Sequence, residues 1–142
     1  MKPLLQIRLA AKLENLATLI QSLKACAREQ EIGENRVPAI ELGVEEAFVN
    51  ICKYAYPNKE GNVEINCSLD DDRFVIEIID EGIPFDINSL RDPDITEDLS
   101  RRRIGGLGVF FMKKMADDIQ SRREGDRNIL AIVIGQAKPK KT

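Results

Sequence analysis

Histidine is absent from all 142 residues. Its absence excludes Ser-His-Asp catalysis, histidine ligation of a metal and a phosphohistidine step within this chain. Cysteine is scarce: Cys26, Cys52 and Cys67 make an odd number with no CxxC spacing. Neither a disulfide framework nor a zinc site is expected from them. No apolar run approaches the roughly 20 residues that a membrane helix needs. The opening MKPLLQIRLAAKLENL turns charged too soon for a signal peptide, and lacks a small-residue cleavage site. There is also no long basic tract, and the net charge is −3, which argues against a dedicated nucleic-acid binder. The expectation is a domain of the reducing cytoplasm that contacts neither membrane nor nucleic acid directly.

What is present is ordinary for one globular domain: 43% hydrophobic and 32% charged residues, at a length that buries roughly 70% of the unfolded surface. Residues 2–9 fit a first strand. From Lys12, apolar residues recur at helical spacing (Leu13, Leu16, Leu19, Ile20, Leu23, Ala27) and predict an amphipathic helix to about Gln30. A second helix is expected from about Arg36 to Tyr54, with Pro38 tolerated in its first turn and Val37, Ile40, Val44, Ala47, Phe48 and Ile51 as its stripe. The period then drops to two. Val63, Ile65, Cys67 and Leu69 alternate with polar residues, three aspartates make a turn, and RFVIEIID returns as a more buried strand. Residues 81–104 read as a long loop, of the kind usually kept for function. A third helix opens at Gly105–Gly108, and IQSRRE and RNILAIVIG form a closing hairpin around a Gly-Asp turn. Helices interrupt the strands too rarely for a doubly wound parallel sheet. The expected fold is α+β: a two-layer sandwich of one mixed, mainly antiparallel sheet with helices on one face. Residues 1–136 form a single domain in this reading and residues 137–142 a basic C-terminal tail.

Three stretches carry chemistry. On the second helix, Glu46 and Asn50 are four apart and share a face, with Lys53 near the same stripe. An Asn carbonyl is a neutral hard-oxygen ligand suited to a Mg²⁺ already held by phosphates and water. A carboxylate one turn away can orient or deprotonate an attacking hydroxyl. Directly after the apolar strand comes Asp80-Glu-Gly82-Ile-Pro-Phe-Asp86. An ionised carboxylate only accepts hydrogen bonds, so Asp80 suits a donor such as an exocyclic amine. Gly82 permits close approach of the backbone or a positive φ. Last, Gly105-Gly106-Leu107-Gly108 opens a helix, where free N–H groups and the helix dipole favour an anion. Arg101, Arg102 and Arg103 precede it, and Lys113 and Lys114 follow. It is neither a dinucleotide fingerprint nor a P-loop. Taken singly, a charged helix face, a strand-ending turn and a glycine cluster are common features of folded chains. Their order and spacing together are not.

With these residues in view, the chain resembles the ATPase superfamily of histidine kinases, gyrase, Hsp90 and MutL. Within it, the likeness is to the small anti-sigma-factor serine/threonine kinases of bacterial partner switches. EEAFVN-ICKYAY is similar to that family's Asn box, DEGIPFD to its first glycine box and GGLGVFFMKKMAD to its second. The resemblance spans about residues 40–134. It implies a Bergerat-type ATP-binding fold, with Asn50 as the Mg²⁺ ligand and Glu46 as the general base. Asp80 would recognise adenine and Gly82 would shape its pocket. Lys53, Arg103, Gly105, Gly106, Leu107 and Gly108 would surround the phosphates, under a lid of residues 87–104. The activity it implies uses ATP and Mg²⁺ to phosphorylate a serine or threonine of an anti-sigma-factor antagonist, with a sigma factor as the second partner and a homodimer as a further possibility. The dimer surfaces would be the exposed faces of helix 10–30 and of the 63–79 hairpin. A non-catalytic ATP-binding anti-sigma factor or partner-switch module would share every nucleotide contact, and Glu46 is what separates the two. An ATPase domain serving a phosphoacceptor histidine on another chain fits the DEGIPFD motif less well. The sequence departs from the family pattern at Tyr54, where relatives often carry histidine, and at Ile83. Its last strand, RNILAIVI, has no Gly-Thr-Thr-like run.

Overall fold

Alternating side chains along KPLLQIRLA make the first strand, β1 (Lys2–Ala10), in a computed structural model that describes residues 1–32, 36–84 and 112–135. Leu5, Ile7 and Leu9 of β1 lie opposite Cys67, Ile65 and Val63 of β2 (Asn62–Asp70). Between these strands run two helices. A 3-10 turn at Leu13–Asn15 leads into α1 (Leu16–Glu29), which buries Leu19, Leu23, Cys26 and Ala27. Leu13 leaves the expected stripe and is 54% exposed, because three residues per turn carry it off the face that 3.6 would have given it. The second helix, α2 (Val37–Asn50), holds Pro38 in its first turn and buries Val37, Ile40, Val44, Ala47 and Phe48. The expected continuation to Tyr54 differs in kind. The α-helix stops at Asn50, and Ile51–Ala55 is a π-helical segment.

The sheet has five strands in the order β1-β2-β3-β5-β4, and every described pairing is antiparallel. β3 spans Arg73–Asp80, β4 Asp118–Glu124 and β5 Arg127–Gly135. Two tight hairpins fix β2 with β3 and β4 with β5. Asp71 sits at φ 57° in the first corner and Gly125 at φ 61° in the second, a conformation that short polar residues and glycine reach most readily. β3 is the middle strand, which is why RFVIEIID is apolar on both faces. The edges are treated differently. β1 carries Pro3 beside a register shift, and β4 (DIQSRRE) is mostly charged and exposed, both of which discourage pairing with another sheet.

One face of the sheet contributes Val63, Ile65, Cys67, Phe74, Ile76, Ile78, Leu130, Ile132 and Ile134 to a core shared with α1 and α2. Met112, in the helical residues 112–115, completes it and packs on Gly43 of α2. A Cβ at Gly43 would collide with Met112, so the glycine sets how closely these two helices approach. All three cysteines are free thiols. Cys67 is buried, and burial, reinforced by the neighbouring Cys26, pushes its thiol far above the ordinary range. Among the described residues, no helix is long and apolar enough to cross a membrane. The proposed 137–142 tail lies outside the described residues.

Candidate functional site

The core face of β3 runs Phe74, Ile76, Ile78 and then Asp80, so strand periodicity delivers a carboxylate to a position where a hydrophobic residue would otherwise sit. Asp80 is 6% exposed and pairs across the ladder with Asn128 of β5, itself 5% exposed. A buried carboxylate and a buried amide each need partners to offset lost hydration. Asp80 Oδ1 accepts from the Gly82 backbone N–H at 2.8 Å and from Asn128 Nδ2 at 2.9 Å. Asn128 Nδ2 also donates to the Ile83 carbonyl at 2.7 Å. Arg123 of β4, opposite Asn128 in register, donates from Nη1 to Asn128 Oδ1 at 3.1 Å and to the Gly82 carbonyl at 2.8 Å.

The helix bearing Asn50 meets this network through its π-helical end. The Ile83 N–H donates to the Ala55 carbonyl at 2.9 Å. A Cβ at Gly82 would strike the same carbonyl and the Ala55 side chain. That contact, rather than a left-handed backbone, is why glycine is required at 82, since Gly82 is not among the residues of positive φ. Tyr56 adds a second tie. Its hydroxyl donates to the Asn62 carbonyl and accepts from the Glu81 N–H at 2.8 Å. Burial pushes the Tyr56 phenol up, with the neighbouring charges of Asp80 and Glu81 adding to the effect.

Asp80 and Gly82 thus share one bonded network. Glu46 and Asn50 lie a turn apart on α2, both half-buried, and Lys53 is exposed on the π-helical segment that follows. These three reach the network through the chain they share with Ala55. Arg103, Gly105, Gly106, Leu107 and Gly108 lie outside the described residues, as does the expected lid. Asn128, Arg123 and Tyr56 escaped the sequence reading. Asn128 had left a signal: counting back by twos from Ile134, Ile132 and Leu130 puts a polar residue in an inward slot. Arg123 had not, since it stands in a uniformly charged stretch.

A sandwich of antiparallel sheet and helices, with a buried Asp at the end of its central strand and an Asn-bearing helix beside it, is the layout of an ATPase domain. The chain belongs to the histidine kinase-like ATPase domain family, which matches residues 9–134. Its relatives include proteins named Serine-protein kinase RsbW. That of Bacillus cereus (strain Q1) is 26% identical over 130 residues, covering 89% of this chain and 81% of the relative. That of Bacillus anthracis (strain A0248) is 25% identical over the same coverage. The likeness to small serine kinases read from the three motifs therefore holds. Two solved structures share the fold. One contains the RsbU and RsbW domains of Rv1364c from Mycobacterium tuberculosis, with a TM-score of 0.66, 15% identity, and coverage of 98% of this chain and 34% of that longer one. The other is the Acinetobacter baumannii histidine kinase AdeS, with a TM-score of 0.53, 14% identity, and coverage of 95% and 70%.

Proposed function

We propose that this chain binds ATP with Mg²⁺ and transfers the γ-phosphoryl group to a serine or threonine of a separate anti-sigma-factor antagonist, acting as an anti-sigma-factor kinase in a bacterial partner switch. The observation that carries the reading is the buried Asp80 carboxylate at the end of an otherwise apolar strand face, held by Gly82 and Asn128. A charge in that position stabilises the fold poorly, and its natural use is to accept a hydrogen bond from a ligand. Adenine offers such a donor in its exocyclic amine. Relatives named serine-protein kinases at 25–26% identity support the reaction class.

The residues present fit the nucleotide. Asn50 would supply one neutral oxygen to Mg²⁺, and phosphate and water oxygens would supply the rest. That division of ligands suits a site where, among the described residues, no cluster of three or more metal-ligating side chains occurs. Bound Mg²⁺ neutralises phosphate charge, and phosphoryl transfer needs little more than positioning and charge compensation. Glu46, one turn before Asn50, would orient the acceptor hydroxyl and take up its proton. Lys53, Arg103 and the Gly105–Gly108 stretch would face the phosphates. Phosphorylation would add about −2 charge to the antagonist, and repulsion from this acidic chain would loosen its docking, freeing the antagonist from the kinase.

The test is a titration of wild type and Asn50→Ala with a fluorescent ATP analogue, with and without Mg²⁺. Binding that requires both the metal and Asn50 is expected, and a wild type that does not bind would refute the nucleotide site. Glu46→Ala should retain nucleotide binding and lose about 10²–10⁴-fold in transfer rate. Transfer at the wild-type rate in that variant would remove Glu46 from the mechanism.

A further inference from the structure

The bonds around Asp80 close into a ring: Gly82 N–H to Asp80, Asn128 Nδ2 to Asp80, Arg123 to Asn128 Oδ1, and Arg123 to the Gly82 carbonyl. Each member has a chemical polarity that fixes its neighbour. A guanidinium has donors only, and a carboxylate and a carbonyl accept. Asn128 therefore has one allowed orientation, with Oδ1 toward Arg123 and Nδ2 toward Asp80 and the Ile83 carbonyl. Flipping the amide would set N–H against N–H and oxygen against two oxygens. Both Nδ2 protons are engaged by those acceptors, at 2.9 and 2.7 Å. The amide acts on its neighbours, with no donor left over for a base.

From this ring we infer that Arg123 and Asn128 are positioning residues that set base specificity, holding Asp80 so that Oδ2, the oxygen neither bond of the ring occupies, meets a 6-amino purine and rejects a 6-oxo purine. The inference rests on the adenine reading of Asp80. Arg123 does this from the far hairpin. Its Nε is anchored on the Gly125 carbonyl at 3.0 Å, so the β4–β5 corner, the Gly82 loop and the carboxylate are braced against one another. Without Arg123 the amide loses the partner that decides its orientation. Without Asn128 the carboxylate loses the donor that fixes its rotation in a buried site, and either oxygen can turn toward the base.

The experiment compares ATP with ITP, which differ at the 6-position, in wild type, Arg123→Met, Asn128→Leu and Arg123→Lys. Both dissociation constants are measured by calorimetry, with a thermal melt of each variant. Wild type should favour ATP by about tenfold or more, the size of one charge-assisted hydrogen bond. In Arg123→Met and Asn128→Leu that preference should fall to about threefold or less, through weaker ATP binding with ITP affinity little changed. Arg123→Lys, which keeps a cationic donor group but loses the planar fork, should recover part of the preference. A wild-type preference retained in both variants, or an equal loss of ATP and ITP binding, would overturn the positioning role while leaving the nucleotide site intact. Failure of wild type to bind ATP would instead remove the adenine reading and this inference with it.

Discussion

The two ends of the β3–β5 ladder share one sheet face and differ in what they put there. From the open end inward, the pairs are Phe74 with Ile134, Ile76 with Ile132 and Ile78 with Leu130. The fourth pair is Asp80 with Asn128, as buried as the rest. At the first three pairs, burial of apolar area stabilises the fold, at roughly 1.5–3 kcal/mol per large side chain. At the fourth, buried polar groups need partners before burial ceases to be a cost, which is why five hydrogen bonds among three segments converge there. One end is built for stability and the other holds the proposed recognition site, and the same strand alternation supplies both.

Substitutions can separate these roles. Phe74→Ala should have the largest effect, destabilising by about 3–5 kcal/mol in urea denaturation while leaving the preference among nucleotides unaltered. If base preference changed with it, the two ends would not be independent. Asp80→Asn should show the opposite pattern. Nucleotide affinity should fall by about 1–3 kcal/mol, while the melting temperature stays near wild type because an amide oxygen can still accept from Gly82 and Asn128. Unchanged affinity would withdraw the adenine assignment. The smallest effect is expected on the charged edge strand, at an exposed side chain. Arg122, bonded at 2.8 Å, holds the Glu124 carboxyl below its usual range. The stabilisation this linkage gives is present above the ordinary carboxylate pKa and is lost as pH falls through the lowered one. Glu124→Gln should therefore melt slightly below wild type at neutral pH, and the gap should close in acid. A gap that widened in acid would contradict the pairing.

Much of the fold was legible because its signals are periodic. The stripe Val37, Ile40, Val44, Ala47 and Phe48 is buried as its spacing predicted, and the strands holding Val63–Leu69 and Phe74–Asp80 pair as the expected antiparallel hairpin. What was not legible depends on contacts between distant segments. The change from α- to π-helix after Asn50 places the Ala55 carbonyl against Ile83, and no local preference in ICKYA announces it. Gly82 was legible as a necessary glycine, but the reason lies in α2's extension, which sequence spacing cannot show. Of the candidate site, Asp80 and Asn50 could be named from motif and period. Arg123 could not, because its role comes from pairing with Asn128 across a hairpin and reaching a loop 41 residues away.

Asp80 and Asn128 are 48 residues apart and belong to different hairpins. Each hairpin closes locally, but their union requires loop closure across the intervening chain, a slower and less favourable event. A chain with both hairpins formed and β3 not yet joined to β5 would have its strands but not the Asp80–Asn128 pair of the proposed site. Under the proposed function, competence to select a nucleotide reports the long-range step in folding, and a stopped-flow refolding trace followed by nucleotide binding would time the docking of the two halves of the sheet.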